Sequence, residues 1–320
     1  MSQALLPGFS DDAPNHIPGY VFSSLTYEIK DKRSPLRRYF DWLVRDLDDI
    51  QAEYRASGGA MKVEWSGITS CTLGAAFDFE IRFRLDSSYD AAVARSAFLQ
   101  DPDALDGVAR VADRAQVAAR SASWDELHAA CWALALFTEF YRAWSTAGSP
   151  LWAFLGAGEM DVDTLLAATP SEALTEMSML ATLAEDRLLP HLEGPFHLGP
   201  TFAGSKHCRA DADVVAGGCL LDVKTRVGNP NRRTRTYHDA LSNVDVYQML
   251  GYALFDLDDR YSVTQLGLYS ARYGHLANWD LVDFMERVSG RSIDLDEERS
   301  RVSFILTGEG GIADTWRMNA

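Results

Sequence analysis

Apolar positions recur at helical spacing through the first half of the chain and at strand spacing in a short later stretch. In SPLRRYFDWLVRDLDDIQAEYRASGG, Leu36, Phe40, Leu43, Leu47, Ile50 and Tyr54 form one stripe, which predicts a single helix. Ser34 suits its N-cap, Pro35 its first turn and Gly58-Gly59 its end. The stretch TLGAAFDFEIRFRL (72–85) fits alternation and helical spacing equally, so helix and strand both stay open. Residues 88–168 read as mostly helical. Ser123 with Glu126, and Thr169 and Pro170 with Glu172, have the form of capping boxes for two of the helices.

The texture changes near residue 195, where Gly and Pro punctuate EGPFHLGPTFAGS. DADVV and CLLDVKT then predict two strands joined by a tight turn through Gly217-Gly218. A polar loop (226–238) leads to a helix over about 239–256. VTQLGLYSARY follows as a strand, and WDLVDFMERVSG as a helix closed by Gly290. Helix, strands, helix, strand, helix is the order of an α/β layered core.

Composition narrows the class. With 320 residues, 47% of them hydrophobic, the chain can bury a large core and is not of disordered type. No apolar run approaches the ~20 residues that span a membrane. The opening MSQALLPGFSDDAPNH lacks the basic and apolar segments of a signal peptide. Cys71, Cys131, Cys208 and Cys219 are scattered, with no CxxC pair, which suits reduced thiols. A cytoplasmic protein without a membrane partner is the expectation.

A net charge of −16 argues against indiscriminate nucleic-acid binding, since phosphate affinity is largely electrostatic. The charge is unevenly spread, however. Between residues 224 and 238 stand Lys224, Arg226, Arg232, Arg233 and Arg235, with no acid among them.

That basic run begins inside an apolar strand, and there the chemistry concentrates. Asp222 and Lys224, two apart, share one strand face, and a tight hairpin brings Asp211 or Asp213 alongside. Two neighbouring carboxylates repel unless a proton or a cation lies between them. Hard oxygen ligands with room for water and phosphate oxygens suit Mg²⁺ or Mn²⁺. Such an ion activates water and neutralises charge at a phosphodiester under attack. A lysine on the same face would position that water. The plain alternative is a structural Asp–Lys pair on an edge strand.

The combination of Asp213 (or Asp211), LLDVKT with Asp222 and Lys224, and YQMLGYALF with Gln248 and Tyr252 four apart resembles the PD-(D/E)XK nuclease superfamily, in its RecB-like exonuclease branch. The resemblance covers about 170–285. It implies a restriction-endonuclease-like mixed central sheet flanked by helices, with a large helical N-terminal and inserted region. It also implies a Mg²⁺-dependent (or Mn²⁺-dependent) deoxyribonuclease in DNA repair or in defence against foreign DNA. Asp213, Asp222, Lys224 and Gln248 would be catalytic, and Asp213 and Asp222 metal ligands. Asp78 in LGAAFDFEIRF stands where that branch often has a metal-binding histidine, and is a third candidate ligand. Arg226, Arg232, Arg233 and Arg235 would meet the DNA backbone.

On this reading residues 1–71 form a lead-in with an amphipathic helix. Residues 72–320 form the nuclease-type core, with a helical insertion at 86–168 and the catalytic segment at 170–285. The absence of a P-loop assigns any unwinding motor to a separate protein, and a protein partner could deliver the substrate. RNA is the alternative substrate. A catalytically inactive nuclease-fold module that binds nucleic acid or acts as a scaffold is the alternative function.

Overall fold

The computed structural model describes residues 15–96, 98, 102–143, 151, 161–230, 233–234 and 236–309. Its helices are α1 (Leu25–Glu28), α2 (Pro35–Leu43), α3 (Asp48–Ser57), α4 (Ser70–Leu85), α5 (Ala92–Ser96), α6 (Pro102–Ser121), α7 (Trp124–Ala143), α8 (Val162–Ala167), α9 (Ser171–Arg187), α10 (Asn243–Phe255), α11 (Leu281–Ser289) and α12 (Leu295–Thr307). The strands are β1 (Phe196–Leu198), β2 (Val214–Ala216), β3 (Cys219–Lys224), β4 (Asn229–Pro230), β5 (Tyr237–His238), β6 (Gln265–Ser270) and β7 (His275–Asp280). Five of them form one mixed sheet in the order β1-β2-β3-β6-β7, and β4 pairs with β5 alone. Only the β3–β6 pair is parallel. The fold is mixed α/β.

Strand parity sorts the core into two layers. Val214, Ala216, Leu221, Val223 and Tyr269 pack with α4, α6, α7 and α9. Val215, Leu220, Leu266, Leu268 and Trp279 pack with α2, α3, α10, α11 and α12. The central strand β3 is therefore buried on both faces, as its apolar run implies. The apolar residues of α1–α3 lie in the same core as those of α10–α12.

The stretch at 72–85 is helix α4. Its apolar residues alternate without a clean stripe because ten of its sixteen residues are buried, between the sheet and the helices above it. The single helix expected over 34–59 is instead two. Val44 turns extended, and the N–H groups of Arg45 and Asp46 donate to the Val288 carbonyl at the end of α11 (2.7 and 3.2 Å). Buried tertiary partners thus outweigh continued helical pairing.

Neither expected capping box forms. The Ser123 N–H donates to the Ala118 carbonyl at 2.9 Å, and Glu126 pairs with Arg114. Pro170, not Thr169, is the N-cap of α9. The 226–238 loop closes as the small β4–β5 ribbon, and β1, β7 and α12 are elements the pattern had not marked.

A buried arginine ties helix α9 and the segment before α4 to the end of β3. Arg272 follows β6 and is fully buried. Its Nε donates to the Thr225 carbonyl (2.7 Å), one terminal nitrogen to the Glu64 carbonyl (3.1 Å) and the other to Glu176 on α9 (2.5 Å). The Arg272 carbonyl accepts in turn from the N–H groups of Lys62 and Val63. Removing one partner of a buried pair leaves an uncompensated charge. Arg272→Met is expected to cost about 3–5 kcal/mol in urea unfolding, and Arg272→Met with Glu176→Gln to recover part of it.

Candidate active site at the end of the central strand

The turn that builds the site is the one its glycines call for. Gly217 and Gly218 both have positive φ (54° and 84°), which suits a two-residue hairpin whose twist matches the strands. It sets Val214 opposite Leu221. Continued one step, this register places Asp213 opposite Asp222. Asp213, and not Asp211, is the carboxylate that meets β3: its Oδ2 accepts the Val223 N–H at 2.7 Å.

Asp222 and Lys224 point to the face covered by α10. Asp222 is only 2% exposed. The Lys224 ammonium donates to Asp222 Oδ1 at 2.9 Å and lies 2.7 Å from Oδ2. It also donates to Gln248 Oε1 at 3.1 Å, and the Gln248 amide nitrogen donates to the Tyr252 hydroxyl at 2.6 Å. Gln248 and Tyr252 sit one turn apart on α10, so a single helix face supplies both. The result is a continuous chain, Asp222–Lys224–Gln248–Tyr252. Asp222 forms the floor, while Lys224 and Asp213 keep about a fifth of their side-chain surface open to solvent.

The electrostatics follow from this placement. Burial pushes the Asp222 carboxyl up to about 6 against the pull of Lys224, and Asp213 raises it further. For Lys224 burial pulls downward, but Asp222 and Asp213 outweigh it and hold the ammonium above its ordinary value. Burial, aided by Asp222, Asp211 and Asp213, lifts the Tyr252 phenol well above its usual range.

The donor set fits a hard divalent cation. Two carboxylates face each other across the hairpin, and the Lys224 ammonium is the only cation within 4 Å of Asp222 among the described residues, 2.7 Å from its Oδ2. Among the described residues, no three His, Cys, Asp or Glu side chains converge on one point, so Asp78 does not complete a trio with Asp213 and Asp222. Helix α4 covers the opposite face of β3, where Gly74 packs on Thr225. One turn beyond Asp78, Arg82 reaches the end of β2 and donates to the Asp213 carbonyl at 3.2 Å, with a terminal nitrogen 3.6 Å from Oδ1. Its only mark in the sequence was the helical i,i+4 spacing from Asp78.

The basic run divides. Arg226 does not extend outward: it bonds Asp245 at 2.6 Å and the Ala240 carbonyl at 2.7 Å, and lies 3.5 Å from Asp239. Asp245 also closes the capping box of α10 with Ser242. Burial raises the Asp245 pKa, but Arg226 and Ser242 outweigh it and keep it below the ordinary value. Arg226 therefore braces the entrance to α10 and is unsuited to the phosphate contact expected of it. Arg233 is exposed, and Arg232 and Arg235 lie outside the described residues. All four cysteines are free thiols, and among the described residues no helix is long and apolar enough to cross a membrane.

Comparison with protein-family models, with curated proteins and with solved structures gives no match, so the site is read from its own geometry.

Arg226→Met should destabilise the protein by about 2–3 kcal/mol in urea melts, because it strands two largely buried carboxylates. Arg233→Ala, at an exposed position, should change stability by less than about 0.5 kcal/mol.

Proposed function

We propose that this chain is a metal-dependent nuclease of PD-(D/E)XK type, close to the RecB-like branch, hydrolysing DNA phosphodiester bonds. The observation that carries the reading is the convergence of Asp213, Asp222, Lys224 and Gln248 from a hairpin and the following helix at one partly solvent-open end of the central strand. A purely structural Asp–Lys pair would explain two of these residues. It gives no reason for bringing a second carboxylate, Asp213, alongside the first. On the same reading the mixed sheet with β3 at its centre is a restriction-endonuclease-like core, and 86–168 is its helical insertion.

Asp213 and Asp222 would hold Mg²⁺ or Mn²⁺, which when bound supplies Lewis-acid stabilisation of charge at the phosphate. The remaining work belongs to the chain. The Lys224 Nζ meets the Asp222 carboxylate and Gln248 Oε1, and its solvent-open side gives it a third direction in which to orient a water or meet a phosphate oxygen. Gln248 fixes the ammonium so that this third direction is set in advance, which is the preorganisation that hydrolysis at a charged centre rewards. Tyr252 orients the Gln248 amide in turn. Arg233, with Arg232 and Arg235, forms a basic segment able to track the phosphate backbone on an otherwise acidic molecule.

Incubating the protein with single-stranded, duplex and nicked DNA, with and without Mg²⁺ or Mn²⁺, tests the reading directly. Asp222→Ala and Lys224→Ala should each lower cleavage by ~10²-fold or more while leaving a folded, DNA-binding protein. A wild type silent with every divalent ion and substrate would instead favour the catalytically inactive binding or scaffold module. Cleavage surviving both substitutions would place the chemistry elsewhere.

Acidity gives a second check. An Asp222 carboxyl titrating near 6 is protonated below that pH and cannot bind a cation. The Mn²⁺ concentration for half-maximal cleavage should therefore rise about tenfold per pH unit below about 6 and level off above it.

A further inference from the structure

Arg82 lies outside the motif yet is among the most completely enclosed charged groups near the site, at 3% exposed. Its guanidinium is held from every side. It donates to the Asp213 carbonyl and to the Tyr89 hydroxyl (3.3 Å), and lies against the faces of Phe79 and Tyr89 at 5.7 and 5.8 Å from their ring centres. On the remaining side is Gly199, where a Cβ would sit 3.5 Å from the guanidinium carbon. A long, flexible side chain is kept in one place, with Asp213 its ion-pair partner and Asp78 and Asp211 also close enough to act on its charge.

The consequence concerns charge. Asp222 is matched by Lys224 at 2.7 Å, and Asp213 by Arg82 at 3.6 Å. Each carboxylate that would hold a cation thus already has a cation of its own. The affinity of oxygen-ligand sites for divalent ions is set largely by the number of uncompensated negative ligands. Mg²⁺ and Mn²⁺ must also lose tightly held water to bind, which two neutralised carboxylates repay poorly. A phosphodiester adds both a negative charge and further oxygen ligands at the open side of the site.

Building on the nuclease reading, we propose that Arg82 is a positioning and charge-balancing residue that makes cation binding at Asp213 and Asp222 conditional on a bound phosphodiester. The metal and the strand to be cut enter the site together. The protein alone is kept in a state with little metal and no competence for hydrolysis.

The experiment measures Mn²⁺ binding directly, by loss of the free-ion electron paramagnetic resonance signal on titrating full-length protein. It is done with and without a duplex oligonucleotide whose phosphorothioate linkages resist hydrolysis. Wild type should bind Mn²⁺ at least about tenfold more tightly with the duplex than without it. Arg82→Gln should bind Mn²⁺ about tenfold more tightly than wild type when no DNA is present. Arg82→Lys, which keeps the charge, should stay within about threefold of wild type. A role in packing alone predicts the reverse for Arg82→Gln, since a loosened Asp213 would weaken the site.

Circular dichroism and a cooperative thermal melt verify the fold of each variant. Should Arg82→Gln not fold, Arg82→Met, which removes the charge and keeps an apolar stem against Phe79 and Tyr89, serves in its place. Equal Mn²⁺ affinity of wild type with and without the duplex overturns the proposal. Unchanged or weaker affinity in the folded Arg82 variant overturns it as well. Because the readout needs no turnover, a failure of cleavage in wild type would count against the nuclease reading and leave this result standing, and the converse also holds.

Discussion

An aspartate buried in the central strand of a sheet is the constraint around which this end of the molecule is built. Desolvating a lone carboxylate costs several kcal/mol, so Asp222 needs a cation within reach. Lys224 is the nearest position on the same strand face, but its ammonium must itself be satisfied in a half-enclosed place. Gln248 accepts from it, Tyr252 accepts from Gln248, and both are set by the pitch of α10. The start of α10 is fixed by Ser242 and Asp245, and Asp245 is fixed by Arg226. One unfavourable charge therefore dictates a chain of partners from the strand to the base of the following loop.

How much of this could be read in the sequence depended on whether the signal was local. The hairpin, its two glycines, the shared face of Asp222 and Lys224, and the four-residue spacing of Gln248 and Tyr252 are all properties of short segments, and each is found where the pattern placed it. Failures came where distant parts of the chain decide. The break after Leu43 is set by the carbonyl of Val288, and the fate of Arg226 by Asp239 and Asp245. Helix α4 had no legible period because it is enclosed on most of its circumference.

The same division explains why the basic run misled as a block. Five cations between 224 and 238 look alike in composition, yet burial separates them. Lys224 is tied to the site and Arg226 to α10, whereas Arg233 stands at an exposed position. A stretch of like charges is one electrostatic object only where all of its members are in water.

The reach of Arg82 also bears on how this architecture assembles. The Lys224–Gln248 contact closes over 24 residues and the Val223–Asp213 contact over 10, whereas Arg82 meets Asp213 across 131. Loop-closure entropy weighs most heavily on the Arg82 contact. The two carboxylates are brought together by short-range contacts, and their repulsion is offset by a cation from a segment remote in sequence. Docking of α4 relieves that repulsion. The helix that completes one layer of the core therefore also makes its most acidic corner electrically tolerable.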